Sequence, residues 1–132
     1  MNPVYSQQGA IYLQIRDRIR EDIINGVYKP QERLPGVRDL AFEAKVNPNT
    51  MQRALAELEA EGMIITNGTL GRVVTDDVSV IEKAREDIVF RLTREYLGQL
   101  ARFGLDRSDA VRLIESAAGQ SGDNNKGGTD HE

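Results

Sequence analysis

The dipeptide Asn47-Pro48 narrows the fold of this chain more than any other feature. An asparagine accepts a hydrogen bond from the unpaired amides of a helix start, and a proline at the first helical position loses nothing by lacking an N–H. A helix is therefore predicted from Pro48 to about Glu61, stopped by Gly62. Met51, Ala54, Leu55 and Leu58 fall on one face of it. At its beginning Asn47, Asn49, Thr50, Gln52 and Arg53 leave Met51 as the inward anchor, while Glu57, Glu59 and Glu61 gather at the far end.

The flanking sequence supplies partners for that apolar face. Upstream, Ile11, Ile15, Ile19 and Ile23 recur every four residues, with Tyr12 and Leu13 beside them, which is the period of a helix. Asn25-Gly26 ends it. Val27 to Pro35, with two prolines, reads as a connector anchored by Leu34, and a short helix follows over Val37 to Ala44 with Val37, Leu40 and Ala41 inward. Downstream, Met63–Thr66 and Arg72–Thr75 read as two short strands. The segment between them, Asn67-Gly68-Thr69-Leu70-Gly71, allows a turn centred on Asn67-Gly68 or on Leu70-Gly71. Helix, short helix, helix with a polar start, hairpin: this order is that of a winged helix-turn-helix. In that arrangement the third helix enters the DNA major groove and the hairpin lies along the backbone or in the minor groove. The predicted class is mainly α with one small β-hairpin.

Beyond Asp76-Asp77, Ser79 reads as an N-cap, with Glu82 completing a capping box. A helix over about residues 80–103 carries Ile81, Ala84, Ile88, Leu92, Tyr96, Leu97 and Leu100, with Phe90 and Leu105 adding to them. Gly104 ends it, and Asp106 and Asp109 announce a short last helix with Ala110, Leu113, Ile114 and Ala117 apolar. An apolar stripe that long exceeds what one short helix covers, so a second copy of the chain is expected to bury it. The expected dimerisation residues are Ile81, Ala84, Ile88, Leu92, Tyr96, Leu97, Leu100, Leu113 and Ile114. Residues 1–10 read as a loose arm, and from Gly119 onward the composition is too polar to bury anything and predicts disorder. The expected organisation is a winged helix-turn-helix over 1–77, a two-helix dimerisation segment over 78–118, and a disordered tail over 119–132.

Composition removes most other functions. There is no cysteine, and His131 is the one histidine, which excludes thiolate chemistry, histidine-dependent triads and histidine-cluster metal sites. The carboxylates fall at surface spacings such as Glu57–Glu61, so no catalytic residue, cofactor or metal is expected. No apolar run reaches the ~18 residues of a membrane span, and the start lacks the pattern of a signal peptide, so a cytoplasmic protein with no membrane partner is expected. The formal net charge is −4, and both sides of Asp77 share it: 9 basic against 11 acidic residues before, 8 against 10 after. Net charge therefore does not favour DNA, and a nucleic-acid reading rests on where the charges sit. Asn and Gln pair with adenine, Arg with guanine, and Thr with a phosphate or a thymine methyl. Arg38 and Lys45 add positive charge around a helix N-terminus that itself favours phosphate.

Residues 11–77 resemble the DNA-binding domain of the GntR family of bacterial transcription regulators. The resemblance is carried by Ile11-Tyr12-Leu13-Gln14-Ile15, Gly26 with Lys29-Pro30, Arg33-Leu34-Pro35, Val37-Arg38-Asp39-Leu40-Ala41, Val46-Asn47-Pro48-Asn49-Thr50, Ala54-Leu55, Leu58 and Glu61-Gly62. The Val-Asn-Pro-Asn-Thr run with a tail of two helices resembles the small YtrA-like subfamily, in which that tail is a dimerisation element. About 40 residues after Val78 are too few for an effector pocket of the usual size, and no effector is specified. By position, the resemblance implies DNA contacts at Arg38, Asn47, Asn49, Thr50, Gln52 and the wing near Gly71; Lys45, Arg53 and Arg72 join them on charge. Pro48 and Gln52 stand where many members carry arginine, and the wing holds no Lys or Arg before Arg72, so it is expected to contribute little. The function implied is a sequence-specific repressor that binds a palindromic double-stranded DNA operator as a homodimer, with a transporter operon as its target. The acidic balance and the weak wing support one alternative, a protein-interaction module that keeps the fold without binding DNA.

Overall fold

The computed structural model describes residues 10–129, with side chains to residue 120. His131 and, apart from Ala10, the expected N-terminal arm lie outside them. The elements in chain order are α1 (Ile11–Ile24), α2 (Val37–Ala44), α3 (Pro48–Ala60), β1 (Ile64–Asn67), β2 (Gly71–Val74), α4 (Val78–Ala101) and α5 (Arg107–Thr129). The chain divides into two compact units, residues 1–87 and 88–132.

In the first unit the apolar periodicity becomes one core. Ile15, Ile19 and Ile23 of α1, Leu40, Ala41 and Ala44 of α2, and Met51, Ala54, Leu55 and Leu58 of α3 are buried together with Leu34, Met63, Ile64 and Val74. The α2–α3 turn is closed by Lys45 in the left-handed region at φ 60°, where glycine is the usual residue. There the Val46 amide donates to the Ala41 carbonyl at 3.0 Å. Asn47 caps α3 as expected: the Asn49 amide donates to its Oδ1 at 2.7 Å.

The hairpin takes neither of the two-residue turns. Asn67 pairs with Gly71, leaving Gly68, Thr69 and Leu70 as a three-residue loop. Two features close it. Gly71 sits at φ +84°, a conformation that costs glycine little, and Asn67 Oδ1 accepts from the Thr69 and Leu70 amides at 3.1 and 3.3 Å. The connector also pairs with β2 through an isolated antiparallel bridge between Arg33 and Val73. Gln31 N donates to Val74 O, Val74 N to Glu32 O, and Leu34 N to Arg72 O, each at 2.9 Å. Pro30 and Pro35 hide this pairing in the sequence, because they bracket a stretch too short to show alternation.

The start of α4 differs from expectation. The cap is Asp77 rather than Ser79: Asp77 Oδ1 accepts from the Ser79 amide at 3.0 Å and the Ser79 hydroxyl at 2.6 Å. The Ser79 hydroxyl first, then its amide, hold the Asp77 carboxyl below its usual range. Glu82 pairs with Arg85 instead of closing a capping box. Val80, Ile81 and Ala84 pack against the core of the first unit, and Arg85 Nη2 donates to the Ile24 carbonyl that ends α1, at 3.1 Å. The unit boundary consequently falls inside α4, ten residues beyond the expected 77/78 division. Ile81 and Ala84, expected at a dimer interface, are thus engaged by the chain's own core.

In the second unit Asp106 and Asp109 cap each other's amides at the start of α5, both at 2.9 Å. Ala110 is buried and Leu97, Leu100 and Leu105 are half-buried, while Leu92, Tyr96, Leu113 and Ile114 are exposed, as are Val89, Phe90, Phe103 and Val111. The α5 backbone continues through residues 119–129, where composition alone predicts a disordered tail. Among the described residues no helix is long and apolar enough to cross a membrane.

Candidate nucleic-acid interface

The candidate residues from Lys45 to Arg53 lie on the α2–α3 turn and the first turns of α3. Asn47, Asn49, Gln52 and Arg53 are exposed and Thr50 is half-buried beneath them. Positions 49, 52 and 53 share one helix face, because residues three and four apart are neighbours on a helix surface. Asn47 has two roles available: its Oδ1 is committed to the cap, and its amide N–H groups are left to a ligand. Arg38 is exposed in the first turn of α2, the helix that packs on α3.

Charge within residues 10–77 is sorted by ion pairing. Arg16 pairs with Asp17 at 2.9 Å and Glu57 at 3.5 Å, and Arg18 with Asp22 at 3.6 Å. Arg20 pairs with Asp17 at 3.3 Å and Glu61 at 2.5 Å, and Arg72 with Glu59 at 3.7 Å. Every acidic residue of α3 and its C-terminus, Glu57, Glu59 and Glu61, is matched by an arginine of α1 or β2. Lys29, Arg33, Arg38, Lys45 and Arg53 make no ion pair among the described residues. In particular, Arg38 does not pair with Asp39 or Glu43. Along α3 itself, paired charges thus sit around the far end and the unpaired Lys45 and Arg53 around the start, with Arg38 unpaired on α2; Asp39 and Glu43 of α2 are likewise in no ion pair among the described residues.

Arg72 departs from the sequence reading. Expected at the wing as a DNA contact, it is directed at Glu59, and its Nε is buried without a hydrogen-bond partner. The Thr66 hydroxyl also donates to Glu59, so both strands of the hairpin are tied to α3 through one carboxylate. Gly71 is exposed beside a loop without a cation, and a side chain there would meet open space but a strained φ. Tyr12 is the residue that sequence reasoning missed. Its ring lies 3.9 Å from the Arg53 guanidinium carbon, and the one available signal was an aromatic among the isoleucines of α1. Among the described residues no cluster of His, Cys, Asp or Glu could hold a metal.

Residues 11–74 match the family of bacterial regulatory proteins described as the gntR family. An HTH-type transcriptional regulator from Mycobacterium tuberculosis is 32% identical over 108 residues, covering 79% of this chain and 82% of its own length. The HTH-type transcriptional repressor YtrA from Bacillus subtilis is 40% identical over 67 residues, 51% of this chain and 52% of its own. Among solved structures, a GntR family transcriptional regulator from Listeria monocytogenes superposes with a TM-score of 0.78 at 32% identity, over 85% of this chain and 98% of that one.

The double role of Asn47 can be separated by substitution. Aspartate caps a helix about as well as asparagine, whereas it repels phosphate. Asn47→Asp is expected to leave the urea midpoint near that of the wild type and to weaken binding to duplex DNA; Asn47→Ala should lose about 1 kcal/mol of stability as well. Paired denaturation and gel-shift titrations check both outcomes. Undiminished DNA affinity in Asn47→Asp would limit Asn47 to its capping role.

Proposed function

The chain belongs to the gntR family of bacterial regulatory proteins, DNA-binding transcriptional regulators rather than enzymes, and we propose that it is a repressor that binds a palindromic operator as a homodimer in the cytoplasm. The observation that carries the DNA reading is the separation of charge along α3, with Arg38, Lys45 and Arg53 unpaired around its polar start and the three glutamates of its far end paired off. The acidic overall balance, which supported a module without DNA affinity, weighs less along α3 itself, because Glu57, Glu59 and Glu61 are matched by arginines. The likeness to a relative named as a repressor supports the sign of regulation, and the resemblance to the YtrA-like subfamily supports a transporter operon as the target.

Homodimerisation is supported by the second unit. Phe90, Leu92, Tyr96, Phe103, Leu113 and Ile114 are exposed there, more apolar area than isolated surface residues leave in water. One reading head makes too few contacts for operator-level affinity, and joining two heads gains the effective concentration of their connection. A two-fold dimer would then read half-sites about one DNA turn apart, ~34 Å.

Two measurements bear on these claims. In gel-shift titrations, Gln52→Ala is expected to cost about 1–3 kcal/mol at one base position and to relax specificity there. Arg38→Ala is expected to weaken binding to every sequence and lower the salt slope by about one. Wild-type behaviour of both variants contradicts the proposed reading surface. In sedimentation, the full-length chain should be a dimer at tens of micromolar; a monomer at that concentration contradicts the dimer.

A further inference from the structure

Three contacts join α1 to α3 at matching intervals of four residues. Tyr12 meets Arg53 with 3.9 Å between ring centroid and guanidinium carbon. Arg16 Nη1 meets Glu57 Oε1 at 3.5 Å. Arg20 grips Glu61 with both ends of its fork, Nε to Oε1 at 3.1 Å and Nη2 to Oε2 at 2.5 Å. Since Tyr12, Arg16 and Arg20 lie on one face of α1, and Arg53, Glu57 and Glu61 on one face of α3, the three form a ladder along the helix pair.

The rungs differ in what they leave behind. The Arg16 and Arg20 rungs each set a cation against a carboxylate and cancel it. The Tyr12 rung holds a cation against a ring that carries no charge, so the charge of Arg53 survives. The guanidinium carbon stands over the ring, and no Arg53 N–H group is engaged by a carboxylate among the described residues. Arg53 makes no ion pair among the described residues, and Glu57, the acid one turn further on, is taken by Arg16. Arg53 is exposed, one residue from Gln52 and four from Asn49. A guanidinium held over a ring, with its charge unpaired and its N–H groups not taken by a carboxylate, is set up to receive a phosphate. An unrestrained arginine would lose more rotamer freedom on binding, which lowers affinity.

We propose that Tyr12 is a positioning residue that holds Arg53 as a clamp for a DNA backbone phosphate, next to the base-reading residues of α3. This rests on the reading of α3 as a DNA-binding helix and adds to it a division of labour, with Gln52 reading a base and Arg53 fixing register on the backbone.

The test is a salt titration of full-length protein binding to random-sequence duplex DNA, followed by fluorescence anisotropy. Arg53→Ala should weaken binding to all sequences alike and reduce the salt slope by about one. Tyr12→Leu should weaken binding about two- to fivefold with the slope unchanged, and Tyr12→Phe, which keeps the ring, should behave as wild type. The double variant Tyr12→Leu/Arg53→Ala should bind no more weakly than Arg53→Ala alone. An unchanged slope in Arg53→Ala overturns the clamp. An undiminished effect of Tyr12→Leu in the Arg53→Ala background, or a loss in Tyr12→Phe equal to that in Tyr12→Leu, overturns the positioning role. A wild-type chain that binds no duplex at low salt overturns the DNA reading itself, and this proposal with it.

Discussion

Burial of one face of α3 is the constraint on which the rest depends. Met51, Ala54, Leu55 and Leu58 are fully enclosed by α1, α2 and the hairpin. Fully burying a Met or Leu side chain contributes about 1.5–3 kcal/mol, whereas an exposed ion pair contributes about 0–1 kcal/mol. Packing therefore decides where α3 lies and how it is rotated, and the ion pairs form on a helix already held in place. Because the buried face is fixed, the opposite face is fixed too, and it carries Asn49, Gln52 and Arg53 outward from a start capped by Asn47.

On that frame, the pairing of charges governs what the surface offers a partner. A phosphate responds to local field rather than to the total charge of a chain, and beyond about 10 Å ordinary salt screens the remainder. Arg16, Arg20 and Arg72 neutralise the three glutamates at the far end of α3, so these contribute little repulsion at its start. Glu59 has a second consequence, since Thr66 and Arg72 both reach it and the hairpin is thereby tied to α3. A wing anchored by its one nearby arginine spends that arginine inside the protein.

Local chemistry was the legible part of the sequence. The bounds of α2 and the start of α3 follow from the periodicity of Val37–Ala44 and from Asn47-Pro48, because caps and apolar faces act within a few residues. The clustering of Asn47, Asn49, Thr50, Gln52 and Arg53 followed from the same signals. What escaped depends on partners distant in sequence. Strand-like pairing of residues 31–34 needs β2; the unit boundary needs Val80, Ile81 and Ala84 to find the core; the fate of Arg72 needs Glu59. Asp77 and Ser79 compete for a single cap, and spacing alone does not choose between them, whereas hydrogen bonds to Asp77 do.

The surface proposed to meet DNA, despite a net charge of −4, is α3's polar start with α2's first turn. Amide chemical-shift mapping tests it most directly. The full-length, isotopically labelled chain is titrated with a short duplex at low salt, and the perturbed residues are located. The largest shifts are expected within residues 37–53, centred on Asn47 to Arg53, with the hairpin loop affected weakly. Shifts confined to α4 and α5, or none at all, would contradict that expectation.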